Sequence, residues 1–225
     1  MFSDMFQKLW ANNLIQLGIW ETIYMTLIST AVSYVIGLPL GLVLSVTDDG
    51  GIHPIHWLNR LLSFIVNIFR SIPFVILMLA MLPVAKLVVG TSLGNKAVIV
   101  TLIIAAAPYV ARMVESSIKE VDKGVIEAAE AMGTPAFKII TKVLVPEAKP
   151  SLITGAVISM VTVLGYSAMA STIGGTGLGQ IAIIYGHQRS NSDIIWFAAL
   201  LCVIIVQVIQ EVGMYIVRKT DKRIS

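Results

Sequence analysis

The chain has 225 residues, of which 56% are hydrophobic and only 13% are charged. Ordinary soluble domains carry about 25% charged residues, so this composition excludes a soluble globular protein. The formal net charge of +3 is small, and the basic residues collect in a few polar segments, which argues against binding to nucleic acid. The composition therefore predicts an all-α, polytopic protein of the lipid bilayer.

Apolar segments of about 20 residues cross a bilayer as helices, and five such segments occur here. In chain order they cover residues 20–46, 57–82, 97–111, 152–171 and 194–217. Residues 1–10 carry apolar side chains at helical spacing, which predicts a short helix in the membrane interface. We predict one transmembrane domain, residues 1–225, with its termini on opposite sides of the membrane.

The distribution of Lys and Arg sets the predicted orientation, since cytoplasmic loops of membrane proteins carry the excess of positive charge. With the C-terminus inside, 11 of the 16 Lys and Arg residues are cytoplasmic, four lie outside, and Arg70 stays within the second span. This favours an outer N-terminus and an inner C-terminus. The largest polar segment, residues 112–150, is then cytoplasmic.

Helix signals divide this polar segment. Residues 125–132 are rich in helix formers, and Gly133 suits the left-handed position that ends a helix. Thr134 is placed to cap a second helix that begins at Pro135. Pro146 is predicted to end that helix because proline has no backbone N–H to donate. Two short helices held by turns would form a rigid projection.

The sequence offers little chemistry of its own. No Walker A pattern ending in Gly-Lys-Ser/Thr occurs, so any ATP that is used would be bound and hydrolysed by a partner. His53 and His56, near Asp48 and Asp49, lack the preorganisation of a metal site and are interpreted as solvated loop residues. No histidine lies within a span to serve an intramembrane hydrolase as a base. These observations predict that the chain is not a hydrolytic enzyme and binds no metal or cofactor.

Glycines cluster at two places where the backbone needs room. Gly37 and Gly41 flank Pro39 in the first span, which predicts a close helix contact with a kink. Residues 174–179 contain four glycines and follow the fourth span. They predict a tight turn at the outer membrane face, since glycine accepts backbone angles that other residues cannot.

Small and polar side chains share one face of the fourth span, at steps of three and four residues. They are Ser151, Gly155, Ser159, Thr162 and Tyr166. Both a hydroxyl-lined translocation pathway and a plain helix contact require such side chains, and the pattern leaves both open.

Arg70 is a further candidate pathway residue. If the second span begins near Arg60, a rise of about 1.5 Å per residue puts Arg70 about 15 Å deep, where an unpaired charge is costly and indicates function. If the span begins near Arg70 itself, residues 57–69 lie partly along the interface and Pro73 marks a break. The sequence leaves both possibilities open.

The cytoplasmic segment resembles the EAA motif of ABC importer permeases. That pattern is Glu-Ala-Ala, three residues, Gly, nine residues and Ile-x-Leu-Pro. The matching positions, with valine in place of Ile and Leu, are Glu127, Ala128, Ala129, Gly133, Val143, Val145 and Pro146. The resemblance implies a type I importer permease in which this segment is a coupling helix that docks in a cleft of the ATPase subunit.

Similarity to the methionine-uptake permeases, the membrane subunits of methionine ABC importers, is found in residues 67–74, 107–115, 165–169 and 174–179. This resemblance implies a homodimer of five-span subunits in the bacterial inner membrane. It implies an ABC ATPase dimer, holding ATP and Mg, on the inner side and a methionine-binding lipoprotein outside. Import would proceed by alternating access and would carry L-methionine, with D-methionine an open question. On this architecture we hypothesise that Tyr166 and Met169 lie at a pathway or gate near the centre of the dimer.

Two alternatives remain from the sequence. The same architecture could carry another amino acid or a small organic solute, because a permease sequence reports its substrate only through resemblance. An ion-coupled secondary transporter should carry acidic or histidine side chains within its spans. Past the first turn of each span, Arg70 and Glu211 are the charged residues evident there, and Glu211 is close enough to the inner end to reach the interface.

Overall fold

The computed structural model describes residues 7 and 9–221, and every regular element among them is helical. The interfacial helix predicted for residues 1–10 falls mostly outside this range. Helix α1, Leu14–Thr47, has 34 residues and contains the first predicted span. At about 1.5 Å per residue it is about 51 Å long, whereas the hydrocarbon core of a bilayer is about 30 Å thick. The helix therefore extends beyond the core.

The second predicted span is two helices. Helix α2, His56–Ser71, and helix α3, Phe74–Ala80, are bent by 105° at the break between them. Pro73 is the N-cap of α3, with φ −54° and ψ 136°, a conformation that does not continue a helix. A break at Pro73 was one of the two possibilities that the sequence left open, and the structure shows it. Helix α4, Leu82–Val89, follows and ends at Gly90, whose φ is +78°.

Helix α5, Asn95–Lys119, contains the third predicted span and continues well past it. Helix α6, Lys123–Ala131, comes next. Helix α7 is composite: it comprises Ala136–Ile139, the π-helical turn Ile140–Leu144 and Val145–Glu147. The two short helices predicted within residues 112–150 are therefore present, with somewhat different bounds.

Two details predicted for α7 are wrong. The N-cap is Pro135 in an extended conformation, with no side-chain hydrogen bond, so Thr134 does not cap this helix. Pro146 does not end it either, because the proline lies in the first turn of Val145–Glu147, directly after the π-helical turn. A proline in the first turn of a helical segment needs no partner for an N–H. Only Ala148 separates α7 from the next helix.

Helix α8, Lys149–Met169, continues into a 3-10 turn, Ala170–Ile173. Helix α9 comprises Leu178–Gln180 and the π-helical segment Ile181–His187, and helix α10 is Ser192–Thr220. Four described helices, α1, α5, α8 and α10, are long and apolar enough to cross a membrane. The bent pair α2–α3 makes a fifth span when it is counted as one, in agreement with the five predicted.

The chain divides into two compact units, and the single domain predicted for residues 1–225 stays a prediction. Unit 1 comprises the described residues of 1–32 together with 72–106 and 160–210. Its core includes Met78, Leu102 and Val163. Unit 2 comprises 33–71, 107–159 and the described residues of 211–225, around a core that includes Val110, Val114, Ile118, Ala129 and Leu144.

Glycine allows close backbone approach in both units. In unit 2, a Cβ atom on Gly37 would lie 2.7 Å from Val110 Cγ1, and one on Gly41 would lie 2.6 Å from Val114 Cβ. The predicted close contact around Pro39 is thus confirmed, and it is made with α5. In unit 1, Gly177 has φ +104°. The backbone N–H of the next residue, Leu178, donates a hydrogen bond to Thr22 Oγ1 at 2.9 Å. The predicted glycine turn is therefore confirmed, and it is closely packed.

Candidate functional site

Both ends of α6 are held by defined caps. Asp122 accepts a hydrogen bond from the backbone N–H of Gly124 at 2.7 Å. At the other end, Gly133 has φ +73°, its N–H donates to the Glu130 carbonyl at 2.8 Å, and the Thr134 N–H donates to the Ala129 carbonyl at 3.1 Å. These two bonds form a Schellman motif, which glycine favours at its left-handed position. The prediction that Gly133 ends this helix is confirmed.

The residues of the EAA segment divide between a buried and an exposed side. Ala129 is 4% exposed and belongs to the core of unit 2, against which Val143 and Val145 also pack. Glu127, Ala128, Gly133 and Pro146 are exposed. The buried residues fix the segment to unit 2, while the others present a free surface.

Large apolar side chains extend that free surface. Met132 is 78% exposed and Phe137 is 76% exposed, and Val125 is exposed as well. Val125 and Ala128 of α6 and its C-cap residue Met132 are spaced by three and four residues, so they lie on one side of this helix. Two large, nearly fully exposed apolar side chains close together in the chain are typical of an interaction surface.

A cavity of about 460 Å³ lies beside the same segment within unit 2. Glu127 and Glu130 line it on the α6 side, and Asp48 and Gly51 line it on the side of the turn that follows α1. Helix α6 is therefore not packed against this turn along its whole length.

A cluster of charged side chains crosses unit 2. The buried carboxylate of Glu115, 8% exposed, lies 2.5 Å from Arg112 Nη1 and 2.8 Å from Lys119 Nζ. Lys119 also lies 2.7 Å from Asp48 Oδ2. Arg112 Nη2 donates to Asn67 Oδ1 at 2.9 Å. The cluster thus links the end of α1, helix α2 and helix α5.

The ion pair with Lys119 changes the pKa of Asp48. The hydrogen bond from the Lys119 ammonium lowers the pKa of the Asp48 carboxyl below its ordinary value. The sequence alone did not predict the contact of Asp48 with Lys119, because Asp48 entered only as a neighbour of His53 and His56 in a solvated loop. The spacing of Arg112, Glu115 and Lys119 by three and four residues on one helix was the signal available for the cluster.

The polar face of the fourth span lies against neighbouring side chains in its unit 2 part. Ser159 is fully buried and donates to the Gly155 carbonyl at 2.7 Å. Ser151 Oγ lies 3.0 Å from Ser117 Oγ of α5. In this part of the helix the geometry favours the helix-contact interpretation over a hydroxyl-lined wall.

The unit 1 part of the same helix is different. The Tyr166 ring stacks on Phe74 with centroids 4.2 Å apart and planes at 3°. Met169 is 48% exposed, and Thr162 is partly buried. Phe74 is the first residue after the Pro73 break, so the stack joins α8 to the start of α3.

Arg70 lies in the last turn of α2, and its side chain is exposed. A cation there interacts favourably with the carbonyl end of the helix dipole. The helix ends at Ser71 and the chain turns sharply before Phe74, which agrees with the interpretation in which Pro73 marks a break near Arg70.

A helical chain with four long apolar helices, a broken additional span and a capped polar segment with an exposed apolar face has the architecture of a membrane transport subunit. Residues 37–225 match the family described as the inner membrane component of binding-protein-dependent transport systems. The chain belongs to this family, which confirms the family predicted from the EAA motif. It is a multi-pass component of the bacterial inner membrane and a transport permease, not an enzyme.

Named relatives are similar over nearly the whole chain. The probable D-methionine transport system permease protein of Vibrio cholerae is 45% identical over 212 residues, 94% of each chain. The methionine import system permease protein of Bacillus subtilis is 44% identical over 222 residues, covering 97% of this chain and 100% of the relative.

Solved structures agree with the fold. An inward-facing structure of the MetNI methionine ABC transporter superposes with a TM-score of 0.91 at 46% identity, covering 93% of this chain and 97% of the other. An amino acid ABC transporter crystallised with histidines gives a TM-score of 0.78 at 19% identity and covers 96% and 98% of the two chains. The predicted all-α fold of a type I importer permease is confirmed.

Proposed function

We propose that this chain is the permease subunit of an ATP-driven importer that carries methionine, in both L and D forms, across the bacterial inner membrane. The observation that supports this substrate is the 45% and 44% identity, over nearly full length, to relatives named for D-methionine transport and methionine import. Transport by alternating access would require the two permease subunits of a homodimer to move against each other.

The proposed partners divide the remaining tasks. ATP and Mg would be bound by an ABC ATPase dimer on the cytoplasmic side, since the chain itself carries no Walker A pattern. A methionine-binding lipoprotein would deliver the substrate at the outer side and supply most of the selectivity. The permease would then need only weak contacts with methionine along its pathway.

We assign the coupling to the ATPase to residues 112–150. The exposed face of α6 around Ala128 and Met132 would dock in a cleft of the ATPase, and Phe137 would extend that contact. The Schellman motif at Gly133 would fix the angle between α6 and α7. Val143, Val145 and the buried Ala129 would carry the movement into the core of unit 2.

We place Tyr166 and Met169 on the translocation pathway. Met169 is half exposed, and Tyr166 is stacked on the residue that follows the Pro73 break. Thr162, one turn before Tyr166, is a further candidate, whereas the burial of Ser159 supports a role in helix contact. Arg70 is a candidate for the mouth of the pathway because its side chain is exposed at the end of α2.

The direct test is uptake of labelled L-methionine by bacterial cells that lack their own high-affinity system. The cells would express this chain with its ATPase and binding protein, and unlabelled D-methionine and other amino acids would be added as competitors. Saturable uptake that only L- and D-methionine compete for is the expected result. No uptake by an assembled complex would contradict methionine as the substrate, and competition by an unrelated amino acid would favour a broader importer.

The coupling assignment is tested by Gly133→Val with Gly90→Val as its matched control. Both glycines have a left-handed φ, +73° and +78°, and a Cβ at either position meets no atom within 4 Å. Valine therefore imposes a similar backbone strain, about 1–2 kcal/mol, at both sites. We expect Gly133→Val to lose uptake, and to lose it while still binding the ATPase, whereas Gly90→Val keeps uptake. Equal uptake by the two variants, at equal membrane levels, would remove the coupling role from Gly133.

A further inference from the structure

Unit 1 contains an open groove of about 550 Å³ whose walls are partly apolar. Leu17, Trp20 and Tyr24 line it from α1, and Leu93 lines it from the turn before α5. Leu17, Trp20 and Leu93 are more than half exposed, with Trp20 at 65%. The groove is several times larger than an amino acid side chain requires, and it offers an aromatic ring and aliphatic carbons on its surface.

Two opposite charges line the same groove, Glu21 from α1 and Lys96 from α5. No ion pair involving either of them occurs among the described residues, although both side chains border one space. Elsewhere in the described chain, Glu115 and Lys119 satisfy each other at 2.8 Å. The groove is thus lined by a carboxylate and an ammonium group that form no ion pair with each other.

The carboxylate of Glu21 is held in place by a neutral side chain. Asn95 Nδ2 donates to Glu21 Oε1 at 3.1 Å. Asn95 Oδ1 in turn accepts from the backbone N–H of Thr176 at 2.9 Å and from its hydroxyl at 2.8 Å. The amide is therefore fixed from the glycine turn, and it orients Glu21 without neutralising its charge.

The depth of Glu21 makes the groove accessible from water. Glu21 follows the first residue of α1 by seven positions, about 10 Å along a helix that exceeds the hydrocarbon core by about 20 Å. With α1 centred in the bilayer, Glu21 lies at the boundary between the hydrocarbon core and the lipid headgroups, where Trp20 and Tyr24 are also favoured. The predicted orientation of the N-terminus puts this end of α1 on the outer side.

We propose that this groove is an outer substrate site for a zwitterionic α-amino acid, a site that deepens and rests on the proposed import of methionine. Glu21 binds the α-ammonium group, Lys96 binds the α-carboxylate, and the apolar side chain lies on Leu17 and Trp20. A thioether sulfur packs favourably against an aromatic ring, which suits a methionine side chain on Trp20. A substrate released at the outer face would bind here before it enters the pathway.

The test is equilibrium binding of labelled L-methionine to the purified permease–ATPase complex in lipid nanodiscs, without the binding protein. We expect weak, saturable binding to the unaltered complex. Glu21→Gln and Lys96→Gln should each weaken it by about tenfold, since each removes one charge-assisted contact. The matched control is Lys86→Gln, which removes an exposed charge of unit 1 that does not line the groove and should leave binding unchanged.

Two methionine analogues test whether Glu21 binds the ammonium group of the ligand and Lys96 its carboxylate. Methioninol lacks the carboxylate, and 4-(methylthio)butanoate lacks the ammonium group, so both should bind the unaltered complex weakly. Lys96→Gln should bind methionine and methioninol about equally, and Glu21→Gln should bind methionine and 4-(methylthio)butanoate about equally. A variant that merely unfolds the site would lose all three ligands, and Lys96→Arg should restore methionine binding if the charge is what matters.

Failure of this site and failure of the proposed function give different results. Absent binding to the unaltered complex, or unchanged binding in both charge variants, would overturn the groove as a substrate site even when cells import methionine normally. Binding that depends on Glu21 and Lys96, in a system that does not import methionine, would support the groove and overturn the proposed transport substrate.

Discussion

The two units of the chain use charge in opposite ways. In unit 2, Arg112, Glu115, Lys119 and Asp48 form a continuous series of ion pairs, with distances from 2.5 to 2.8 Å. In unit 1, Glu21 and Lys96 border one groove without an ion pair among the described residues, and a neutral amide orients the carboxylate. Only 13% of the residues in this chain are charged. Paired charges stabilise helix contacts, whereas unpaired charges that are held in place remain available to a ligand.

Glu115→Ala should have the largest effect, and it tests whether the paired charges of unit 2 stabilise the fold. The substitution removes a buried carboxylate from between Arg112 Nη1 and Lys119 Nζ, so two cations lose their shared partner. Breaking a buried pair from one side costs about 3–5 kcal/mol, and we expect the lower end of this range because Lys119 is 45% exposed and can be rehydrated. The measurement is the thermal unfolding midpoint of the purified permease in detergent.

Two variants control this experiment. Glu115→Gln keeps an oxygen that accepts hydrogen bonds and should lose less stability than alanine. Glu211→Ala removes an exposed carboxylate of the same unit and should change stability by less than about 0.5 kcal/mol. If Glu115→Ala unfolds at the same temperature as Glu211→Ala, the series of ion pairs does not stabilise unit 2.

A smaller effect is expected from Asn95→Ala in unit 1. The amide makes three described hydrogen bonds, to Glu21 and to Thr176, but Glu21 borders an open groove where water can replace them. We expect a loss of about 1 kcal/mol, the net value of ordinary hydrogen bonds between accessible groups. Thermal unfolding beside Gln188→Ala, which removes an exposed amide of the same unit, measures it. A loss as large as that of Glu115→Ala would mean that unit 1 also depends on its polar groups for stability.

Hydropathy alone predicted much of the fold. Each long apolar helix was located because 20 apolar residues have few alternatives to a membrane span. Local chemistry predicted two further features, the break at Pro73 and the helix end at Gly133, because proline and glycine act on their own stretch of backbone. The error at Pro146 has the same origin. The rule that proline ends a helix assumes an α-helical register, and the preceding π-helical turn changes that register.

The candidate site was less predictable because its contacts join distant parts of the chain. Glu115 lies on the same helix as its partners Arg112 and Lys119, so the spacing in the sequence could have indicated that part of the cluster. Asp48 reaches Lys119 across 71 positions, and Asn95 reaches Glu21 across 74. Hydropathy also underestimated α5, whose polar ends at Asn95 and Lys119 fall outside the apolar window that marks the span.

The smallest expected effect is the pH dependence of the pair at the edge of unit 2. The Lys119 ammonium lowers the pKa of Asp48, so the folded state binds a proton at this carboxyl less readily than the unfolded chain does. The stabilisation is complete above the ordinary pKa of 3.8 and is lost as the pH falls through the lower folded value. Because the side chains of Asp48 and Lys119 are 36% and 45% exposed, this stabilisation amounts to only about 0.2–1 kcal/mol. The unfolding midpoints of the unaltered chain and Asp48→Asn should therefore differ by a small, constant amount between pH 7 and pH 5 and converge below about pH 4. In a Lys119→Gln background, Asp48→Asn should hardly change the unfolding midpoint at any of these pH values. If the midpoints of the unaltered chain and Asp48→Asn instead differ by the same amount at every pH, Asp48 stabilises the turn through contacts other than its charge.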